Sequence, residues 1–279
     1  MKMENELTCV EHSLKEIVRE APVHIRDVVS YALESSGKRI RPLLVMLSGK
    51  LFGASANTLV NAAVAVELMH IASLVHDDII DEGMLRRGNE SLHLRFGFPA
   101  AILCGDYLLC KSLNLLKGYN EEVMKKFTRA GMLMADGEMM DIDVSMNDYF
   151  ECIGRKTAVL FEASTGMGAV IGEAKHSDVL NIERFGWHLG IAYQLTDDLL
   201  DYLGLWKDKQ SVRKGATFPR LIERCEDKGG DVADLTLNLI HRHRSLSCGF
   251  LKKINSNREE KEMLIKLTKD ITLGIIKKI

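Results

Sequence analysis

Two stretches of the 279-residue sequence carry carboxylates at the same spacing: Asp77, Asp78 and Asp81 in "LVHDDIIDEG", and Asp197, Asp198 and Asp201 in "QLTDDLLDYLG". On a helix, carboxylates at i and i+4 lie on one face a turn apart, with Cβ atoms ~6 Å from each other, so they can share one cation. Both clusters follow strongly apolar turns, and like charges ~4 Å apart repel by about 4 kcal/mol at an effective dielectric of 20. A hard divalent cation removes that penalty. Carboxylate oxygens with retained waters suit Mg²⁺, above all when a substrate phosphate completes the shell. Only His70 and His76 lie close by and thiols are absent from both stretches, which disfavours zinc. The segments "IASLVHDDIID" and "IAYQLTDDLLD" align without a gap, so two helices are expected to present the same acidic end.

Basic residues complete the pattern. Arg86 and Arg87 follow the first cluster, and "GKRIRP" supplies Lys38, Arg39 and Arg41, forked or pointed donors suited to phosphate oxygens. Acid and base together imply a metal plus a diphosphate.

The elements that must hold these residues read as helices. Hydrophobic residues make up 46% of the chain, aromatics only 6%, and 4 prolines interrupt it. A net charge of -2 gives no field for nucleic acid or an anionic membrane. Short breaks such as "SSGKRIRP", "RRGNE" and "EDKGGD" separate segments of helical period, and no linker divides them, so one domain over residues 1–279 is expected. The apolar run Leu59–Val75 carries Asn61, Glu67 and His70 and falls short of the ~20 clean residues of a membrane span. It reads as a buried helix. The N-terminus shows no secretory core, and six cysteines without a CxxC pair point to a reduced, cytoplasmic setting. "GMGAVIG" reads as close helix packing, "HRHR" at His241–Arg244 as a solvated basic face, and the 13 methionines as core filler.

In order along the chain, "GKRIRP", "ELMHIASLVHDDIIDEGMLRRG", "CGDYLL", "GRKTAVLFEAS" and "GIAYQLTDDLLDYLG" resemble the trans-isoprenyl diphosphate synthases over about residues 37 to 204. The resemblance implies an all-α, single-domain isoprenoid synthase bundle around a deep central cavity. It implies that Asp77, Asp81 and Asp197 hold three Mg²⁺ on an allylic diphosphate (dimethylallyl, geranyl or farnesyl), with Asp78, Asp198 and Asp201 as supporting ligands or one layer behind. Lys38, Arg41, His70 and Arg87 would bind isopentenyl diphosphate. Arg86, Lys156 and Gln194 would contact the allylic diphosphate, and Thr157 and Tyr193 would flank the carbocation formed when the allylic C–O bond ionises. By their residue types alone, His70 reads as a core histidine and Thr157 as a helix hydroxyl bonded to its own backbone. A homodimer is implied as well.

After Gly204 the sequence "LGLWKDKQSVRKGATFP" lacks the family's "GKxxGxD" segment and the lysine before "TLP"; Lys207, Lys209 and Lys214 are the candidate substitutes. A class I terpene cyclase is the rival enzyme, but its second motif would end in Glu where Leu205 stands. A non-catalytic subunit and a helical scaffold with acidic patches are the other rivals. If Asp77 anchors the diphosphate, the hydrocarbon runs back along its helix past the small Ala72 and Ser73 toward Met69, ~12 Å away at 1.5 Å per residue, and Val66. Geranylgeranyl diphosphate, with twenty carbons, is the expected product; a longer chain is the alternative.

Overall fold

The computed structural model describes residues 2–34, 37–86, 88–205, 209–211, 217–223, 231–256 and 258–272. The helices are α1 (Lys2–Glu20), α2 (Arg26–Glu34), α3 (Ile40–Leu51), α4 (Ala56–Ile80), α5 (Leu92–Phe96), α6 (Phe98–Leu115), α7 (Glu121–Asp141), α8 (Tyr149–Ile153), α9 (Val159–Ile171), α10 (His176–Tyr202), α11 (Phe218–Glu223), α12 (Val232–Lys253) and α13 (Glu259–Asp270). A π-helical turn, Gly154–Ala158, joins α8 to α9. The helical expectation holds.

The apolar run lies within α4, which packs between α3 and α6. A helix apolar on every side belongs in a core. Leu59, Val64, Val66 and Leu68 are fully buried, each contributing ~1.5–3 kcal/mol by leaving water. Ser55 starts this helix by accepting the Thr58 N–H at 3.3 Å. Glu82, in a left-handed conformation (φ 50°), ends it. The same packing logic brings α10 against α9 and α12. Within "GMGAVIG", a Cβ on Gly168 would strike the Val45 carbonyl of α3, so close helix contact is the purpose of that glycine.

One expectation fails. "RRGNE" does not form a simple loop: β1 (Gly83–Arg86) and β2 (Asn89–Glu90) make an antiparallel hairpin, and β3 (Lys209–Ser211) pairs on the other edge of β1. Strands of four and two residues carry too little alternation to be read locally, and the third partner comes from the far side of the second acidic motif. Backbone pairing of Arg86 with Lys209 lays the segment that departs from the family pattern beside the first motif.

Candidate active site

Both acidic motifs lie in the last turns of long helices, α4 and α10. Carboxylates there oppose the helix dipole, whose C-terminal end is already negative, so each helix end gains from a nearby cation. The protein supplies two. Arg86 donates to both oxygens of Asp78, from Nε at 2.7 and 2.8 Å. Lys156 reaches Asp141 at 2.6 Å and Glu138 at 2.7 Å.

Lys156 stands on the π turn "GRKTA", a wide turn of the kind found at functional sites. Its backbone approaches α7 at Gly137 so closely that a Cβ there would collide with the Lys156 amide. This approach is what sets Glu138 and Asp141 around the ammonium. Burial opposes its charge, but Asp141, Asp77 and Glu138 outweigh burial and hold Lys156 protonated well beyond the ordinary lysine range. Asp77 feels the same cluster in reverse. Burial, then Glu138 and Asp81, push its carboxyl up to about 7 against the pull of Lys156 and Arg86.

The second motif joins this network through Asp198, which accepts bonds from Tyr149 Oη, from the Phe218 amide at 3.0 Å and from Gln194 Nε2 at 2.8 Å. Burial raises its carboxyl despite these bonds, with Asp141 adding to the rise. Thr157 Oγ1 donates to Gln194 Oε1 at 2.8 Å, so its hydroxyl serves the site and not its own helix backbone. Asp77, Asp78, Asp81, Glu138 and Asp141 thus share two fixed cations, Lys156 and Arg86, and Asp198 feels the charge of Asp141. The surplus of negative oxygen suits hard divalent ions.

The carboxylates of the two motifs differ in the partners they meet. Asp78 is bonded by Arg86, and Asp198 by Tyr149, Gln194 and the Phe218 amide. Asp201 is paired with Arg220 at 2.8 Å. Asp197, on α10, is half-buried beside Asp198. Among the described residues no three His, Cys, Asp or Glu side chains close into a metal cage, so an ion at Asp77 and Asp81 would need further oxygens, such as those of a diphosphate.

Of the basic residues, Arg41 Nη1 lies 3.0 Å from His70 Nε2 and its guanidinium 4.9 Å over the Phe161 ring, itself 5.4 Å from the Tyr193 ring. Lys38 is exposed. Arg39 is not a phosphate donor: it turns inward to Glu67 and Glu11. Arg87, Lys207 and Lys214 lie outside the described residues. Ala72 is fully buried, Ser73 donates to the His70 carbonyl at 2.9 Å, and the Met69 methyl sits where a Cβ on Gly131 of α7 would be 2.9 Å away. A cavity of about 30 Å³ behind Asp78, lined by Tyr31, Leu74 and Ser91, has room for a water but not for a prenyl chain. Glu138, Asp141 and Tyr149 escaped the sequence reading, although the i, i+3 spacing in "GEMMD" puts the first two on one helical face.

The profile of the family described as polyprenyl synthetase matches residues 22–216. The chain belongs to the polyprenyl synthetase family. It is a prenyl-transferring enzyme of the isoprenyl diphosphate synthase class, which sets aside the cyclase and scaffold readings. It is 40% identical over 226 residues to a geranylfarnesyl diphosphate synthase of Methanosarcina mazei, covering 78% of this chain and 76% of that relative. Among solved structures it is similar to a geranyltranstransferase from Methanosarcina mazei, at 34% identity and TM-score 0.85 over 97% of each chain. A Caulobacter crescentus polyprenyl synthase complexed with calcium and isoprenyl diphosphate is similar at 26% identity and TM-score 0.87, over 96% of this chain and 94% of that one. The likeness to the first structure covers 97% of this chain, so it extends past the family match at residue 216 into the C-terminal helices.

Proposed function

We propose that this chain condenses isopentenyl diphosphate with an allylic diphosphate, head to tail and trans, and that twenty carbons is its main product. One observation carries the reading: the acidic end of α4 and the Glu138–Asp141 pair of α7 meet around the half-buried ammonium of Lys156, which lies in salt-bridge contact with Asp141 and feels the charge of Asp77. Mg²⁺, three ions by the family resemblance, would be held by Asp77, Asp81 and Asp197 and would supply positive charge to the departing diphosphate. The relative crystallised with calcium and isoprenyl diphosphate supports such a site.

The chain's own residues do the rest. Lys156, permanently charged, and Arg86 draw the allylic diphosphate toward the motifs and favour it as negative charge grows on the leaving oxygen. Thr157, oriented by its bond to Gln194, offers its oxygen lone pairs toward the allylic cation; Tyr193 contributes its ring face. Lys38, Arg41 and His70 grip the second diphosphate, so that the double bond of isopentenyl diphosphate meets the cation at fixed distance. The released diphosphate accepts the final proton.

Met69, packed onto Gly131, supports the twenty-carbon length as the floor below Ala72 and Ser73. A second reading, twenty-five carbons, is favoured by the geranylfarnesyl name of the relative at 40% identity. A homodimer belongs to the same proposal. Phe98, Ile102, Leu103 and Leu113 on α6, and Met132 and Met139 on α7, are large apolar side chains left exposed, of the kind found at protein interfaces.

The test is incubation of purified protein with Mg²⁺, labelled isopentenyl diphosphate and farnesyl diphosphate, followed by chromatography of the dephosphorylated products. Linear alcohols of twenty or more carbons are expected. Cyclic hydrocarbon, or unchanged farnesol, would overturn the reading.

A further inference from the structure

Four elements meet at a buried guanidinium that the condensation does not call for. Arg39 stands between Lys38 and Arg41 in the left-handed region, at φ 50°, and is only 8% exposed. Its Nη1 donates to Glu67 Oε1 of α4 at 2.9 Å, its Nε to Glu11 Oε1 of α1 at 2.8 Å, and its Nη2 to the Leu33 carbonyl of α2 at 3.2 Å. Glu67 lies at 2% exposure in the apolar middle of α4. A buried ion pair is a weak source of stability compared with apolar packing, and a left-handed non-glycine residue adds strain. Such a cost suggests a gain elsewhere.

Spacing shows where the gain lies. Glu67 and His70 are i and i+3 on α4, so they sit on one face a turn apart. Arg39 and Arg41 flank the start of α3 and reach those two residues, Arg39 to Glu67 at 2.9 Å and Arg41 to His70 at 3.0 Å. In the inner rung each guanidinium nitrogen of Arg39 is bonded within the protein, whereas the outer rung carries the groups assigned to substrate. Long cationic side chains on a free loop would lose much conformational freedom on gripping a small diphosphate. Fixing the backbone between them removes that loss beforehand.

We propose that Arg39 and Glu67 form a positioning clamp that presets Lys38, Arg41 and His70 as the receptor for the isopentenyl diphosphate headgroup. The clamp rests on the assignment of those three residues to that substrate. Neither clamp residue touches the substrate; they act through the loop between them.

Steady-state kinetics with each substrate varied, together with melting curves, test the clamp in Glu67→Gln, Arg39→Lys and the double variant Arg39→Met/Glu67→Met, with Arg41→Lys as control. For Glu67→Gln, KM for isopentenyl diphosphate should rise ~10- to 100-fold, the scale expected when binding groups are misplaced by about an ångström, while KM for the allylic partner stays within ~2-fold. The double Met variant replaces the buried pair by apolar side chains and should melt at or above the wild-type temperature, yet keep the raised KM. Recovery of KM together with melting temperature would make the pair merely structural and overturn the clamp. Equal movement of both KM values, or of neither, would do the same. If Arg41→Lys itself leaves KM unchanged, the headgroup assignment fails and takes the clamp with it; a raised KM in that control beside a normal Glu67→Gln rejects the clamp alone.

Discussion

Asp77→Asn should make the metal-free protein more stable, in a pH-dependent way. Burial and the neighbouring Glu138 and Asp81 raise the Asp77 carboxyl from 3.8 to about 7, so the fold favours its protonated form. The stability held by that proton is present in full below about pH 4 and is lost as pH rises toward 7, where the ionised carboxylate must be buried among like charges. A shift of about three units at 1.36 kcal/mol each sets an upper bound of ~4 kcal/mol. Asp77 keeps some solvent contact, and screening through it brings the expectation to about 2 kcal/mol. Asparagine keeps the shape without the charge. At pH 8 in a chelator the variant should melt ~4–8 °C above wild type, and at pH 4 the two should melt together. Adding Mg²⁺ with inorganic diphosphate should reverse the order, because ions that bind only the folded wild type stabilise it by mass action. Melting curves at pH 4, 6 and 8 decide the matter. A gap that is constant with pH, or a variant less stable at pH 8, would refute the electrostatic reasoning.

Lys156→Gln should lower kcat by ~10²–10³, the usual loss on removing one preorganised donor to a developing anion; normal turnover in single-turnover assays would remove Lys156 from the site. Gly137→Ala should destabilise the chain by ~1–3 kcal/mol, because its Cβ meets the Lys156 backbone, and calorimetry with no loss would contradict the close approach of α7 to the π turn. An Ala72→Phe substitution should shorten the product toward fifteen carbons, and Met69→Ala should lengthen it, both read by chromatography of the alcohols; unchanged lengths in both would move the floor elsewhere. If the proposed homodimer forms, light scattering should give a dimer mass for the wild type and a monomer mass for Ile102→Asp, whose side chain is exposed on α6; a monomeric wild type would overturn the proposed dimer.

Much of this protein is legible in its sequence because the decisive signals are local. Carboxylates at i and i+4 define a helical face whatever lies opposite, and a run as apolar as Leu59–Val75 has nowhere to go but a core. The same locality placed Ala72, Ser73 and Met69 along one helix behind Asp77. The family pattern then supplied which loop and which helices belong to one site.

What the sequence left open is the partner of each charge. Arg39 and Arg41 are two residues apart and chemically alike, yet one is buried against Glu67 and the other faces His70, a choice fixed by a left-handed residue and by the distance between α3 and α4. Asp77 and Asp78 are adjacent, and only the position of Arg86 on the hairpin gives the second a bidentate guanidinium partner. Lys156 finds Glu138 and Asp141 because Gly137 lets two backbones touch. In "HRHR", His243 is half-buried with its Nδ1 3.2 Å from that of His188 on α10, so the stretch is not wholly the solvated face it resembles. Helical periodicity tells which side of an element a residue occupies, and that follows from the bonds of one chain segment. Which charge it meets there depends on how distant segments pack, and only the tertiary structure decides it.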